Sequence, residues 1–246
     1  MKFLISEGWM HNNEEEQLNQ KPYGADREMG SSSLSPPSQS HAPLDFQAES
    51  FWDQRYSTDE YFFGLEPNEF LRSQSHRFTP GQKVLALADG EGRNGVWLAQ
   101  QGLDVLSVDF SPMAIAKAQR FAASRGVTLA TEVADLGPWD WGVERFDAIV
   151  AIFIQFAGPD LRTVIFQKLQ AALKPGGLLL LQGYTPRQLE FKTGGPPLVE
   201  NMYTTELLQE SFSNMEILHL LEHDATLSEG VGHNGMSALI DLVGRK

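Results

Sequence analysis

Gly90, Gly92 and Gly95 spell G-x-G-x-x-G within "ALADGEGRNGVWLA", residues 86 to 99, and Asp89 and Glu91 sit inside the motif. Such a loop, between a strand and a helix, lets backbone approach a nucleotide-like ligand and puts a helix N-terminus beside it. Asp109 follows 19 residues after Gly90, the spacing at which an acid accepts hydrogen bonds from ribose hydroxyls. The two loop carboxylates bear on the choice of nucleotide. Like charges ~4 Å apart repel by about 4 kcal/mol at an effective dielectric near 20, so Asp89 and Glu91 oppose a pyrophosphate, with Arg93 offsetting part of that. A donor carrying adenosine and cationic groups meets no such conflict. This charge pattern points to S-adenosylmethionine. A nicotinamide-dependent oxidoreductase and a non-catalytic cofactor-binding protein stay open as alternatives.

Other chemistry is sparse. The six histidines show no metal-ligand spacing, so no metal is expected, and the absence of cysteine excludes a disulfide framework, a thiolate zinc site and a cysteine nucleophile. Neither a Ser/His/Asp triad nor a pair of carboxylates in catalytic context is legible. His233, in a loop entering the final strand, and Tyr184 are the candidates for a catalytic group. Trp52, Tyr56, Phe63, Phe153, Phe156 and Tyr184 are candidates for aromatic faces beside a sulfonium. Arg187 and Lys192 lie in a Gly/Pro-rich loop on the expected acceptor side.

These residues need a scaffold, and the pattern supplies one. Strands are expected at 83–88, 103–108, 127–133, 146–153 and 178–184, alternating with helices at 93–101, 111–126 and 160–177. That order calls for a doubly wound, mainly parallel sheet with helices on both faces. Ser111, Pro112 and Gly126 suit the cap, first turn and C′ position of the second of these helices. Short helices are expected over Phe51–Tyr56 and from Pro67 to Phe78. After a helix in "TTELLQESF", strands at 215–223 and 236–246 are separated by a gap too short for a crossover helix, so they pair antiparallel. Residues 1–48, rich in Ser, Pro and polar residues with eight Asp/Glu against three Lys/Arg in the first fifty, read as a disordered extension. The catalytic domain is then 49–246.

The net charge of −13 argues against a nucleic-acid partner. No apolar run approaches a membrane span, the N-terminal decapeptide is too short in its apolar part for a secretory signal, and a cytoplasmic location is expected.

In order and spacing, "FWDQRY", "FGLEPNEFL", "DGEGRNGVWLA", "VDFSPMAIAKA", "VADL", "FDAIVA" and "LKPGG" resemble the class I S-adenosylmethionine-dependent methyltransferases. The likeness is greatest to the small-molecule branch that includes tellurite-resistance and thiopurine S-methyltransferase-like proteins, and it spans Phe51 to Lys246. It implies a seven-stranded, Rossmann-like sheet with a reversed C-terminal strand. It also implies S-adenosylmethionine as cofactor and a small-molecule methyl acceptor, a thiol or a chalcogen oxyanion, without nucleic acid or membrane. By motif, Asp109 holds the ribose, Phe110 packs beside adenine with Ser111 following, and Asp135 and Leu136 meet the adenine amino edge. Gly90, Gly92 and Asn94 belong to the loop facing the methionine portion, with Asp89 and Glu91 beside them; Asp89 takes over contact with its ammonium. Ala151 and Ile152 line the methyl-transfer side, and Trp52, Arg55 and Tyr56 form an N-terminal lid. The family's usual acid and first glycine are replaced by Ala86 and Ala88.

Overall fold

The computed structural model describes residues 52–246; the extension expected over 1–48, and Phe51, lie outside the described residues. A helical turn over 52–56 (α1) is followed by α2 (Glu69–Ser73) and a 3-10 turn, Ser75–Arg77. The helix expected from Pro67 to Phe78 is therefore broken. Asn68 caps α2, its carboxamide oxygen accepting from Leu71 N at 3.0 Å, and Phe70 and Leu71 turn inward as expected.

The alternating core then runs β1 (Lys83–Leu87), α3 (Arg93–Gln100), β2 (Asp104–Asp109), α4 (Pro112–Ser124), β3 (Ala130–Val133), β4 (Phe146–Ile152), α5 (Pro159–Ala172) and β5 (Leu173–Tyr184). A one-turn α6 (Gln188–Phe191), α7 (Thr205–Ser211), β6 (Glu216–Glu229) and β7 (His233–Arg245) complete the chain. Ser111 caps α4, accepting from Ala114 N at 3.1 Å, and Gly126 beyond its end has φ +68°.

The seven strands form one sheet in the order β3-β2-β1-β4-β5-β7-β6, parallel except for β7, which runs antiparallel to both β5 and β6. This is the expected architecture. Side-chain alternation divides the core. Leu85 and Leu87 of β1 pack with Ile149, Leu179, Ile165, Phe166, Leu208 and Phe212, which places α5 and α7 on one face. Val84 and Ala86 pack with Ala148, Val150, Leu98, Phe70 and Leu71, which places α2 and α3 on the other.

Two boundaries differ from expectation with consequences for the site. The last strands do not stop at 223 and resume at 236: β6 continues to Glu229 and β7 begins at His233, leaving only residues 230–232 as the turn. The segment "DATLSE" alternates polar and apolar, with Leu227 buried between exposed Thr226 and Ser228, and this period of two extends the ladder. His233 is thus a strand residue at the end of a long hairpin rather than a loop residue. The third expected strand shrinks from 127–133 to Ala130–Val133, an edge strand exposed along most of its length. The helix expected from 160 and stopped by Pro175, Gly176 and Gly177 ends slightly earlier, at Ala172, from where the chain joins β5.

Candidate functional site

In an open α/β sheet, ligands bind beyond the carboxyl ends of the strands where the chain reverses direction across the sheet. Here that point lies at β1, flanked by β2 and β4. A cavity opens there, lined by Ala88, Asp89 and Gly90 after β1, Asp109 and Phe110 after β2, Ala134 and Leu136 after β3, and Ile152, Phe153 and Phe156 after β4. Trp52, Tyr56 and Phe63 from the N-terminal segment, Arg93 and Asn94 of α3, and His233 of the hairpin complete the wall.

The glycine turn is built by its own side chains. Asp89 accepts hydrogen bonds from Gly95 N at 3.1 Å and Ser107 Oγ at 2.9 Å, and a Cβ on Gly95 would collide with Asp89 Oδ2. The third glycine of the motif makes room for that carboxylate. Gly92, at φ +87°, would put a Cβ 2.7 Å from Ala118 Cβ, so it permits α3 and α4 to pack and does not face the cavity. Ala88 takes the left-handed conformation at φ +46°, which explains why a glycine is usual at its position in the resembling family. Phe153, at the end of β4, is likewise at φ +55°; both strained residues line the cavity.

Glu91 is directed elsewhere. Its carboxylate lies 2.5 Å from Lys117 Nζ on α4, with both side chains almost wholly buried, and accepts from Phe63 N at 3.4 Å. Lys117 Nζ also donates to Thr58 O and Glu60 O, at 2.8 and 2.5 Å. The pair clamps the N-terminal segment onto the domain. The expectation that two free carboxylates repel a pyrophosphate is therefore corrected: Glu91 is neutralised away from the cavity, and Asp89 is partly satisfied by the turn itself. Burial pushes the Asp89 carboxyl up to about 7, against the hydrogen bonds from Ser107 and Gly95 that favour its ionised form.

Asp109 ends β2 with its Oδ2 accepting from Gly90 N at 2.8 Å and its Oδ1 from Ser111 N at 2.9 Å. It joins the turn after β1 to the start of α4 while facing the cavity. Burial raises it to about 6 despite these bonds.

The expected site residues thus separate. Trp52, Tyr56, Asp89, Gly90, Asn94, Asp109, Phe110, Leu136, Ile152 and His233 line the cavity; Arg55, Glu91, Gly92, Ser111, Asp135, Ala151 and Tyr184 do not. Arg55 lies over the Trp52 and Phe62 rings, 5.6 and 5.2 Å from their centres. Ser111 caps α4 and donates from Oγ to Asp53 of α1. Asp135 accepts from Gly137 N at 3.1 Å, leaving Ala134 and Leu136 as the wall. Ala151 points into the opposite core. Tyr184 stacks on Phe153 at 4.8 Å behind the wall, its buried hydroxyl without a partner.

Three features escaped the sequence reading. Ala134 carries no chemical signal. Arg93 donates from Nη2 to Glu229 Oε2 at 2.7 Å, while its buried Nη1 has no partner; the bridge depends on the hairpin reaching Glu229, which the alternation of "DATLSE" could have revealed. Asn68 Nδ2 donates to Gln182 Oε1 at 2.7 Å and Glu229 Oε1 at 3.0 Å, a contact no local pattern reports.

Residues 84–177, from β1 into β5, match the methyltransferase domain family. Over that stretch the chain is therefore similar to methyltransferases. An uncharacterized methyltransferase of Synechocystis is 34% identical over 120 residues, 48% of this chain and 54% of that one. The chain spans between 38% and 54% of the length of the curated relatives it matches. Its fold is shared with TehB from Haemophilus influenzae, at TM-score 0.61 and 20% identity over 80% of this chain and 66% of that one. It is shared also with the N-methyltransferase NodS from Bradyrhizobium japonicum in complex with S-adenosylhomocysteine, at TM-score 0.59 and 14% identity over 80% and 97%. Among the described residues no helix is long and apolar enough to cross a membrane.

The cavity fits the donor such a domain uses. It offers an acid at the end of β2, an apolar slot of Phe110, Ala134, Leu136 and Ile152 suited to a flat base, and aromatic faces of Trp52, Tyr56 and Phe63 suited to a cation. A Cβ on Gly90 would come 3.1 Å from Tyr56 Oη and would sit on a backbone at φ +58°, so a larger residue there would both crowd Tyr56 and strain the turn.

Proposed function

We propose that this protein transfers a methyl group from S-adenosylmethionine to a small-molecule acceptor, a thiol or a chalcogen oxyanion, in the cytoplasm and without a nucleic-acid partner. The observation that carries the reading is the cavity at the tips of β1, β2 and β4, where Asp109 and an aromatic enclosure meet. The net charge of −13 supports the exclusion of nucleic acid, and the absence of cysteine suits a reducing compartment.

When bound, the cofactor supplies an electrophilic methyl on a cationic sulphur that becomes a good neutral leaving group. The protein's task is alignment and exclusion of water. In the proposed site Asp109 accepts from the ribose hydroxyls, and its two backbone partners hold its carboxylate in place. Phe110 and Leu136 pack against the base. Gly90 and Asn94 face the methionine portion, with Asp89 accepting from its ammonium; Arg93, through its unpartnered Nη1, donates to a carboxylate or other anion there. Trp52 and Tyr56, stacked with centroids 5.7 Å apart, close the site from the N-terminal side. Phe63, Phe153 and Phe156 bound the acceptor side and keep water out.

The test is a turnover assay that follows S-adenosylhomocysteine formation against thiols, selenite, tellurite, halides and phenols. The reading expects turnover with at least one of these; donor binding with turnover of none would leave a cofactor-binding protein without catalysis.

A further inference from the structure

The wall opposite the glycine turn holds polar groups that binding a methyl donor does not require. His233 pairs across the hairpin with Glu229. Its ring is wedged between Phe63 and Phe153, 4.6 and 4.3 Å away, is only 6% exposed, and lines the cavity. Buried imidazoles are ordinarily hydrogen-bonded, yet His233 Nδ1 has no partner. Glu229 Oε2 stands 3.8 Å from it, within reach of an ion pair and outside a hydrogen bond.

Glu229 itself is firmly held. It accepts from Arg93 Nη2 at 2.7 Å, Asn68 Nδ2 at 3.0 Å and Glu69 N at 3.2 Å. Asn68 is anchored in turn by Gln182, whose Nε2 donates to Asp241 Oδ1 at 2.6 Å. A fixed carboxylate behind an imidazole that faces a cavity is the arrangement of a base and its orienter.

We propose that His233 is the general base of the reaction, with Glu229 as its positioning residue, and that the acceptor is a neutral protic nucleophile entering with its O–H, S–H or N–H proton in place. This rests on the methyl-transfer reading and narrows it, since an oxyanion needs no base. The acceptor heteroatom bonds to the methyl carbon, the electrons of the broken sulphur–carbon bond stay on sulphur and cancel its charge, and the acceptor's proton passes to His233 and then to solvent. Charge in the cavity is conserved, because the imidazolium appears as the sulfonium is lost. Burial, aided by the Arg93 guanidinium and opposed by Glu229, lowers the His233 imidazolium to about 4, so the ring is neutral and able to accept at pH 7. Burial would raise Glu229, yet His233 and Arg93 hold it at about 2; its carboxylate disfavours an anionic acceptor. The other titratable group facing the ring is Tyr184, 6.0 Å between centroids.

Two measurements test this. Titration calorimetry of H233K at pH 6 places an ammonium where the imidazolium is proposed to form, facing the sulfonium across the acceptor. The expected result is S-adenosylmethionine binding weakened at least tenfold more than S-adenosylhomocysteine binding; equal weakening of both overturns the proposal. In H233Q, S-adenosylhomocysteine affinity should stay within threefold of wild type, while turnover of phenols, thiols or amines falls about 100-fold or more and, with the donor saturating, the limb of the kcat profile near pH 4 disappears. Undiminished turnover of a protic acceptor in H233Q, or wild-type turnover confined to selenite and tellurite, overturns it as well. If the wild type fails to bind S-adenosylhomocysteine, the methyl-transfer reading falls, and that failure is distinct from a charge-blind H233K.

Discussion

Lys117 Nζ of α4 lies 2.5 Å from the Glu91 carboxylate of the glycine turn, with both groups buried. One ion pair therefore couples the glycine turn, the fourth helix and, through Thr58 O and Glu60 O, the segment that carries Tyr56 and Phe63 to the cavity. Removing one partner of a buried pair leaves an uncompensated charge. Glu91→Gln is expected to cost about 3 kcal/mol or more, read by urea denaturation. A loss below about 1 kcal/mol would mean that the two carbonyls alone hold Lys117.

Asp109→Ala removes the acid at the end of β2 together with the acceptor for Gly90 N and Ser111 N. Calorimetry is expected to show S-adenosylhomocysteine binding weakened at least tenfold. Unchanged affinity would remove Asp109 from the site.

Asp89 titrates in the opposite sense from an ordinary ion-paired carboxylate. Its pKa is raised on folding from 3.8 to about 7, so the folded protein holds a proton that the unfolded chain has released. Stability from this group is complete below about pH 4 and is lost as pH rises through 7. A shift of that size corresponds to at most about 4 kcal/mol. Asp89→Asn should therefore gain stability relative to wild type as pH rises from 4 to 8, followed by thermal denaturation across that range. A pH-independent difference between the two proteins would show that Asp89 keeps its ordinary titration. His233 works in reverse: its depressed pKa gives stability present above about 6.5 and lost as pH falls through 4, so H233Q should flatten the acid side of the wild-type curve.

Ala88 holds φ +46° without the freedom of a glycine. Ala88→Gly relieves that strain and is expected to stabilise by about 0.5–1 kcal/mol, the unfolded chain's added entropy offsetting part of the gain. Destabilisation in a thermal melt would indicate that the Ala88 methyl packs productively against the ligand cavity.

Much of this architecture was legible because its signals are local. The apolar runs of β1, β4 and β5 announce a sheet covered on both faces, and Ser111-Pro112 with Gly126 mark the limits of α4 almost to the residue. The placement of Asp109 followed from its position at the end of a strand. Side-chain direction was not legible. Glu91 and Asp89 stand two apart in one turn, yet one turns to Lys117, 26 positions away, and the other to Ser107 and Gly95. That outcome depends on which helix packs over the turn. Asp135 and Leu136 divide in the same way, the backbone sending Leu136 inward and Asp135 to Gly137 N. His233 reaches the cavity, with Glu229 behind it, only because the hairpin outruns its apolar core, a length set by strand pairing across the chain rather than by hydrophobicity.

Calorimetric titration of the full chain with S-adenosylhomocysteine, S-adenosylmethionine, NADH and NADPH tests most directly whether the cleft at the tips of β1, β2 and β4 accepts an adenosyl-sulphur cofactor. Saturable binding of the two adenosyl-sulphur compounds and of neither nicotinamide is expected; binding of NADH or NADPH in their place would show a dinucleotide site instead.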